Sequence, residues 1–278
     1  MKAMGDKQML LNIGKHNAKV FFALMKFFSK LSTAYKSDLM LRWLGYPARL
    51  LITYLLWTYL LQINHASKEQ TNAVIVYFVF ALFLSHLFSF MRMARDIREE
   101  VYSGDIVTYM VRPLSHFFVN FAKSIVTIVL NTFMAIPLIG VIGFLITGYL
   151  PTLYQVLLFF VTFLMGFTIT FMIYYIIGLT SFFTGEIMGT LRIFSIISEF
   201  LGGAFLPLYY FPLSLQSVLY FSPFQFWVYL PASVISGNVS IASTLPLLLI
   251  GSIWIIILAI IIKIVWNIGT TRYSGHSI

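Results

Sequence analysis

Six stretches, at about 44–62, 73–91, 117–147, 152–183, 188–221 and 244–266, are apolar with almost no charge inside them. A helix needs about 20 such residues to cross a hydrocarbon core about 30 Å thick, so the pattern predicts six transmembrane helices. The third, fourth and fifth stretches exceed what one upright helix requires. Each must tilt, run beyond the bilayer or contain a break. Pro137, Gly140 and Gly143 mark a place for a kink in the third. Trp43, Trp57, Trp227, Trp254 and Trp266 lie mostly near the ends of these stretches, where interfacial anchors belong.

The polar positions between the stretches give an orientation. Arg92, Arg95, Arg98 and Arg112 follow the second span, and Arg272 follows the sixth. Loop 63–72 carries only Lys68 and Glu69, and 200–262 carries no Asp, Glu, Lys or Arg. Basic loops stay on the cytoplasmic side, which places both termini inside. Ahead of the first span, Lys2, Lys7, Lys15, Lys19, Lys26, Lys30, Lys36 and Arg42 alternate with Phe21, Phe22, Leu24, Phe27 and Phe28. Lysines interrupt the run too often for a signal peptide, so residues 1–43 are expected to be retained. They read as a basic amphipathic helix along the inner membrane surface, the alternative being a solvated basic tail.

Between 199 and 231 the apolar pattern is broken by Glu199, Gly202, Gly203, Pro207, Pro212, Pro223 and Pro231. Proline lacks a backbone donor and clashes with the preceding turn, so one continuous helix is excluded. Short helices dipping back into the outer leaflet fit the pattern, and would have to be covered by protein or line a cavity. An ordinary irregular external loop is the competing reading.

Composition closes off other classes. The 278 residues are 60% hydrophobic and 10% charged, against about 45–50% and about 25% for soluble domains, which leaves no room for a sizeable soluble domain. The net charge of +9, which in a soluble protein would point to nucleic acid, is here accounted for by topology. The absence of cysteine excludes disulfides and thiolate chemistry. No phosphate loop is present, since Gly14 and Lys15 lack the upstream glycine and the hydroxyl residue, and no HExxH or GxSxG motif occurs. His16, His65, His86, His116 and His276 show no ligand spacing and read as surface or packing residues.

Two polar features stand out. Residues 92–105, RMARDIREEVYSGD, place Met93, Ile97 and Val101 on one helical stripe, with charges elsewhere and Gly104 positioned as a left-handed cap. This is either a solvated connector or a docking helix for a cytosolic partner. Within the apolar stretches, Glu199 is the most informative charge, because an ionised group at depth is costly and marks function. Arg192 lies seven residues before it, about 10 Å along a helix axis and too far for a close pair, so Glu199 is expected to meet water, another helix or a second subunit. Lys123 and Lys263, near span ends, are expected to snorkel.

Taken together these residues resemble the permease subunits of type-two ATP-binding-cassette (ABC) exporters of bacteria. The resemblance covers nearly the whole chain. It rests on the basic lead-in before six spans and on the charged loop running through Gly104 to Val111, Arg112, Pro113, Leu114 and Ser115. It also rests on Gly203, Ala204, Phe205 and Pro207, on Phe211 and Pro212, on Ser222, Pro223 and Phe224, and on Arg272, Tyr273, Ser274 and Gly275. Similar chains end in Tyr-x-Gly-x-Gly; here Ser277 replaces the last glycine.

The resemblance implies an all-α integral membrane fold: an interfacial connecting segment (1–43), a six-span domain (44–266) with re-entrant helices at about 199–231, and a cytoplasmic tail (267–278). It implies that the helix at about 93–103 couples to an ATPase, with Asp96, Arg98, Glu99, Glu100, Tyr102 and Gly104 as the contact set. Glu199, Phe200, Phe205 and Tyr209 are the pathway candidates. It further implies two ATPase partners that bind ATP and Mg, no cofactor in this chain, and a second permease, identical or homologous. The location implied is the bacterial cell membrane. An ATPase-independent channel or secondary transporter is the alternative, and would favour inverted repeats and clustered intramembrane charges. A lipid-modifying enzyme would need a polar catalytic cluster, and none is evident.

Overall fold

The computed structural model describes Ala23 and residues 25–29, 36–88, 90–111 and 115–274. Most of the expected 1–43 segment, Arg112, Pro113 and Leu114, and the end of the tail therefore lie outside the described residues. Helix makes up 84% of the structure and no strand occurs among the described residues, so the class is all-α.

Eleven α-helices are used below: α1 (Lys36–Ile63), α2 (Lys68–Leu87), α3 (Met91–Ser103), α4 (Val107–Val111), α5 (His116–Thr147), α6 (Leu153–Leu179), α7 (Ser181–Thr184), α8 (Met188–Leu201), α9 (Leu213–Phe221), α10 (Tyr229–Ile235) and α11 (Ile241–Ser274). Two 3-10 turns, Leu208–Tyr210 and Pro223–Phe226, fall between them. Local chemistry sets the boundaries. Ser67 and Gln70 form a capping box at the start of α2, and Thr152 with Gln155 forms another at α6. In the region after α8, Pro207 and Pro212 stand immediately before a short helix, and Pro223 is the first residue of another. Proline costs nothing at these positions, because the first turn has no internal acceptor for its missing N–H.

Among the described residues, four helical stretches are long and apolar enough to cross a membrane: Lys68–Ser103, His116–Phe133, Leu153–Thr184 and Ala242–Tyr273. Two of the six expected spans are not among them. α1 has the length, but Pro47, Arg49 and several tyrosines dilute its apolar run. The expected fifth span, 188–221, is a 14-residue helix, about 21 Å long, that stops at Gly202. The third runs unbroken for 32 residues through Pro137, and the fourth breaks at Thr180.

α6 is the central post, packing against α11, α3 and α10. α2 is buried nearly continuously from Val74 to Leu87, whereas α11 turns Leu249, Ile253, Ile256 and Ile260 outward. Such an apolar exposed row is stable only against lipid or another protein. Trp57 and Trp227, expected as interfacial anchors, are buried in the core instead; Trp57 stacks on Tyr210 at 5.2 Å. The chain bends back at Gly202 and Gly203, where α2 and α10 come close. Gly203 has φ +90°, and a Cβ there would lie 2.6 Å from the Tyr77 hydroxyl. Tyr77 donates to the Gly203 carbonyl at 2.7 Å, and the Tyr229 N–H donates to that of Gly202 at 2.9 Å.

Candidate functional site

α3 forms as its stripe predicts. Met93, Ala94, Ile97 and Val101 are buried, and Gly104 closes the helix in the left-handed conformation at φ +88°. Gly178 of α6 admits the close approach: a Cβ there would lie 3.0 Å from the end of Ile97. The Tyr273 hydroxyl of α11 donates to the Val101 carbonyl at 3.1 Å and ties the end of α3 to the last helix.

The charges divide into two sets. Asp96 pairs with Lys123 of α5 at 2.5 Å, so Lys123 is an ion-pair partner and not simply a snorkelling side chain. Arg98 pairs with Glu186 at 2.8 Å, donates to the Gly185 carbonyl at 3.1 Å and lies 5.5 Å from the centre of the Tyr102 ring. Glu186 also accepts from the Met188 N–H, and that bond together with Arg98 holds its carboxyl below the usual range. Glu100 turns inward to His116 at 2.7 Å. Asp96, Arg98 and Glu100 thus bind α3 to its own chain, while Glu99 and Tyr102, the latter 79% exposed, point outward with Arg95. The partly exposed Asp96–Lys123 pair contributes about 1 kcal/mol or less, so its main effect is to fix the rotation of α3.

His116, expected as a surface or packing residue, is a packing residue, and it also carries bonds that the sequence did not show. It is the first residue of α5, only 2% exposed, and its ring is bonded on both sides: Nδ1 to the Tyr175 hydroxyl at 2.8 Å, and Nε2 to Glu100. Asn120 donates to the His116 carbonyl at 3.1 Å, and Trp266 of α11 stacks on the ring at 5.3 Å. A cavity of about 380 Å³ lies alongside, lined in part by Tyr109, Lys263 and Asn267. The sequence signal was the spacing of His116 and Asn120, one turn apart at the start of an apolar helix.

Away from α3, Glu199 meets Arg49 of α1 at 3.3 Å; the two side chains are 41% and 46% exposed. Of the three partners expected for Glu199, water, another helix or a second subunit, the structure gives another helix. Arg49 was missed, although a lone arginine inside an apolar run is itself a signal. Phe200 lies against Phe205 (6.2 Å) and Phe211 (5.4 Å), so Glu199, Phe200 and Phe205 form one group. Tyr209 belongs to a different feature, a cleft of about 1040 Å³ lined with Tyr210, Tyr220, Tyr229, Asn64, Gln70 and Asn238 among others. Among the described residues its lining carries no Asp, Glu, Lys or Arg. No group of three or more His, Asp or Glu side chains suited to a metal ion occurs among the described residues.

Comparison with known proteins bears on this geometry. No curated protein matches the chain. The family model described as ABC-2 family transporter protein matches residues 46–277. That match takes in α2 to α11, the docking candidate α3 and the cleft. It identifies a multi-pass membrane component of an ABC transporter, of the kind that works with ABC ATPase subunits. The chain belongs to the ABC-2 family of transporter proteins.

Proposed function

We propose that the chain is the permease of an ATP-driven exporter in the bacterial cell membrane. It would form the translocation pathway as a dimer with an identical or homologous permease and dock two cytosolic ATPases. The observation that carries this reading is the two-faced α3. One face is buried on α6, and the other presents Arg95, Glu99 and Tyr102 from a helix held between two long apolar ones. A charged helix clamped in that position transmits a push to the spans. Both termini are then cytoplasmic. α1 supplies one further crossing. α8, with the short helices after it, supplies another that closes over the pathway by re-entry.

ATP and Mg bind to the partner ATPase. Closure of the ATPases moves α3, and the spans shift between two packings, one open inward and one outward. Asp96, Arg98 and Glu100 hold α3 in register, Gly104 ends it, and Glu99 and Tyr102 make the contact. At membrane depth a half-exposed ion pair is stable facing water or a second protein and not lipid, which supports placing Arg49 and Glu199 on the pathway or dimer face. Phe200, Phe205 and Tyr209 continue that face toward the cleft. Export is the direction the resemblance supports. The test is mild-detergent purification of the tagged chain from its host, with mass spectrometry of the co-eluting proteins and an ATPase assay. Co-elution of an ABC ATPase with nucleotide hydrolysis is the expected outcome. A chain that purifies alone under several gentle conditions overturns the reading.

A further inference from the structure

Resting on the reading of α3 as the ATPase-docking helix, we propose that His116 is the positioning residue through which movement of α3 reaches the spans. The juxtaposition is specific. One imidazole starts α5, bonds Glu100 of α3 on one side and Tyr175 of α6 on the other, and lies flat against Trp266 of α11. An ionised Glu100 can only accept, so in the neutral ring Nε2–H donates to it and Nδ1 accepts from the Tyr175 O–H. Nε2 reaches α3 and Nδ1 reaches α6, while the Asn120 amide nitrogen lies 3.1 Å from Nε2 and donates to the His116 carbonyl of the same turn.

The other two ties of α3 differ in kind. Lys123, Asp96, Arg98 and Glu186 are 39%, 30%, 28% and 59% exposed, so water reaches both members of each pair, whereas in the third tie it reaches only Glu100, 27% exposed. His116 is shut away from solvent, and breaking its bond to Glu100 leaves a buried donor unmatched. A displacement of Glu100 therefore carries the ring with it, and the ring carries the first turn of α5 and the Tyr175 hydroxyl. The adjoining cavity gives the ring somewhere to go. The titratable groups that face it are Glu100 from α3, Tyr109 from α4 and Tyr175 from α6, with Lys263 of α11 on the cavity wall.

The natural absence of cysteine makes the experiment direct. Asn238→Cys, at an exposed polar position lining the cleft, reports the state of the cleft by its rate of reaction with a maleimide. The permease–ATPase complex in nanodiscs is labelled with and without Mg-ATP and vanadate. With His116 intact, nucleotide changes the labelling rate. His116→Gln, whose amide replaces the Nε2 donor toward Glu100, keeps most of that change. His116→Asn, too short to reach Glu100, and His116→Leu, which fills the space with no donor, reduce the change about tenfold while the ATPase still co-elutes and hydrolyses ATP. A His116→Leu response equal to the parent, or Gln and Asn responding alike, overturns the proposal. If Leu prevents folding, the Gln and Asn pair decides alone. Failure of the parent chain to capture any ATPase overturns the docking reading and this proposal together, whereas capture with an unchanged His116→Leu response overturns this proposal only.

Discussion

The two ends of the molecule are built from different chemistry. Leu247 borders the tyrosine-lined cleft and Trp266 lies on His116, about 28 Å apart along α11. Around α3 the contacts between helices are ion pairs and a bonded imidazole, each joining one named group to another. Around the cleft they are phenols, amides and backbone carbonyls, with no Asp, Glu, Lys or Arg among the described lining residues. Paired charges single out one rotation of a helix against its neighbour. A neutral aromatic wall offers many contacts of similar strength and favours none. The charged end is suited to being pushed as a unit, and the cleft end to letting something pass.

That contrast can be broken most severely at the cleft end. Gly203→Ala puts a Cβ at φ +90° and within 2.8 Å of Tyr229, and is expected to cost about 3 kcal/mol by combining backbone strain with overpacking. Thermal unfolding in detergent should show a clear drop in Tm, and an unchanged Tm would remove the tight turn from the account. Next in size, at the charged end, Glu99→Lys reverses an outward charge and is expected to weaken ATPase capture about tenfold, or about 1.4 kcal/mol, with Tm unmoved. A matching loss of stability would place Glu99 in the fold and not at the contact.

The ion pair on the flank of α3 should give about 1 kcal/mol at most. Asp96→Lys is expected to lower both Tm and ATPase stimulation, and adding Lys123→Asp to restore them; additive losses in a double-mutant cycle would show that the pair is incidental. The smallest effect belongs to Glu186. Its carboxyl is held below the usual range, so its contribution is present above the ordinary carboxylate pKa and is lost as pH falls through the lowered folded value. Glu186→Gln should therefore lower stability slightly at neutral pH, where the contribution is present, and leave it unchanged in acid below the lowered value, so the profile loses part of its acid slope.

Much of this arrangement was legible in the sequence wherever one segment determines it. The stripe of Met93, Ile97 and Val101 and the cap at Gly104 depend only on helical spacing and on a glycine's access to positive φ, and both occur as expected. The break after Glu199 followed from the glycines and prolines. What stayed hidden were pairings across the chain: Asp96 with Lys123, 27 positions away, Arg98 with Glu186, 88 away, and Glu199 with Arg49, 150 away. No periodicity encodes which helix lies beside which. For the same reason His116 looked like one scattered histidine among five, although four elements converge on it.

The prolines that open the short helices beyond α8 also have a mechanical consequence. Each fixes its own φ near −65° and restricts the residue before it, so the segment gives up little conformational entropy when it folds. Residues 207–226 are irregular in outline yet stiff in substance, closer to a jointed plate than to a flap. Any opening there has to turn at the joints, and the glycine pair at 202 and 203, held by Tyr77 and Tyr229, is the joint nearest the spans.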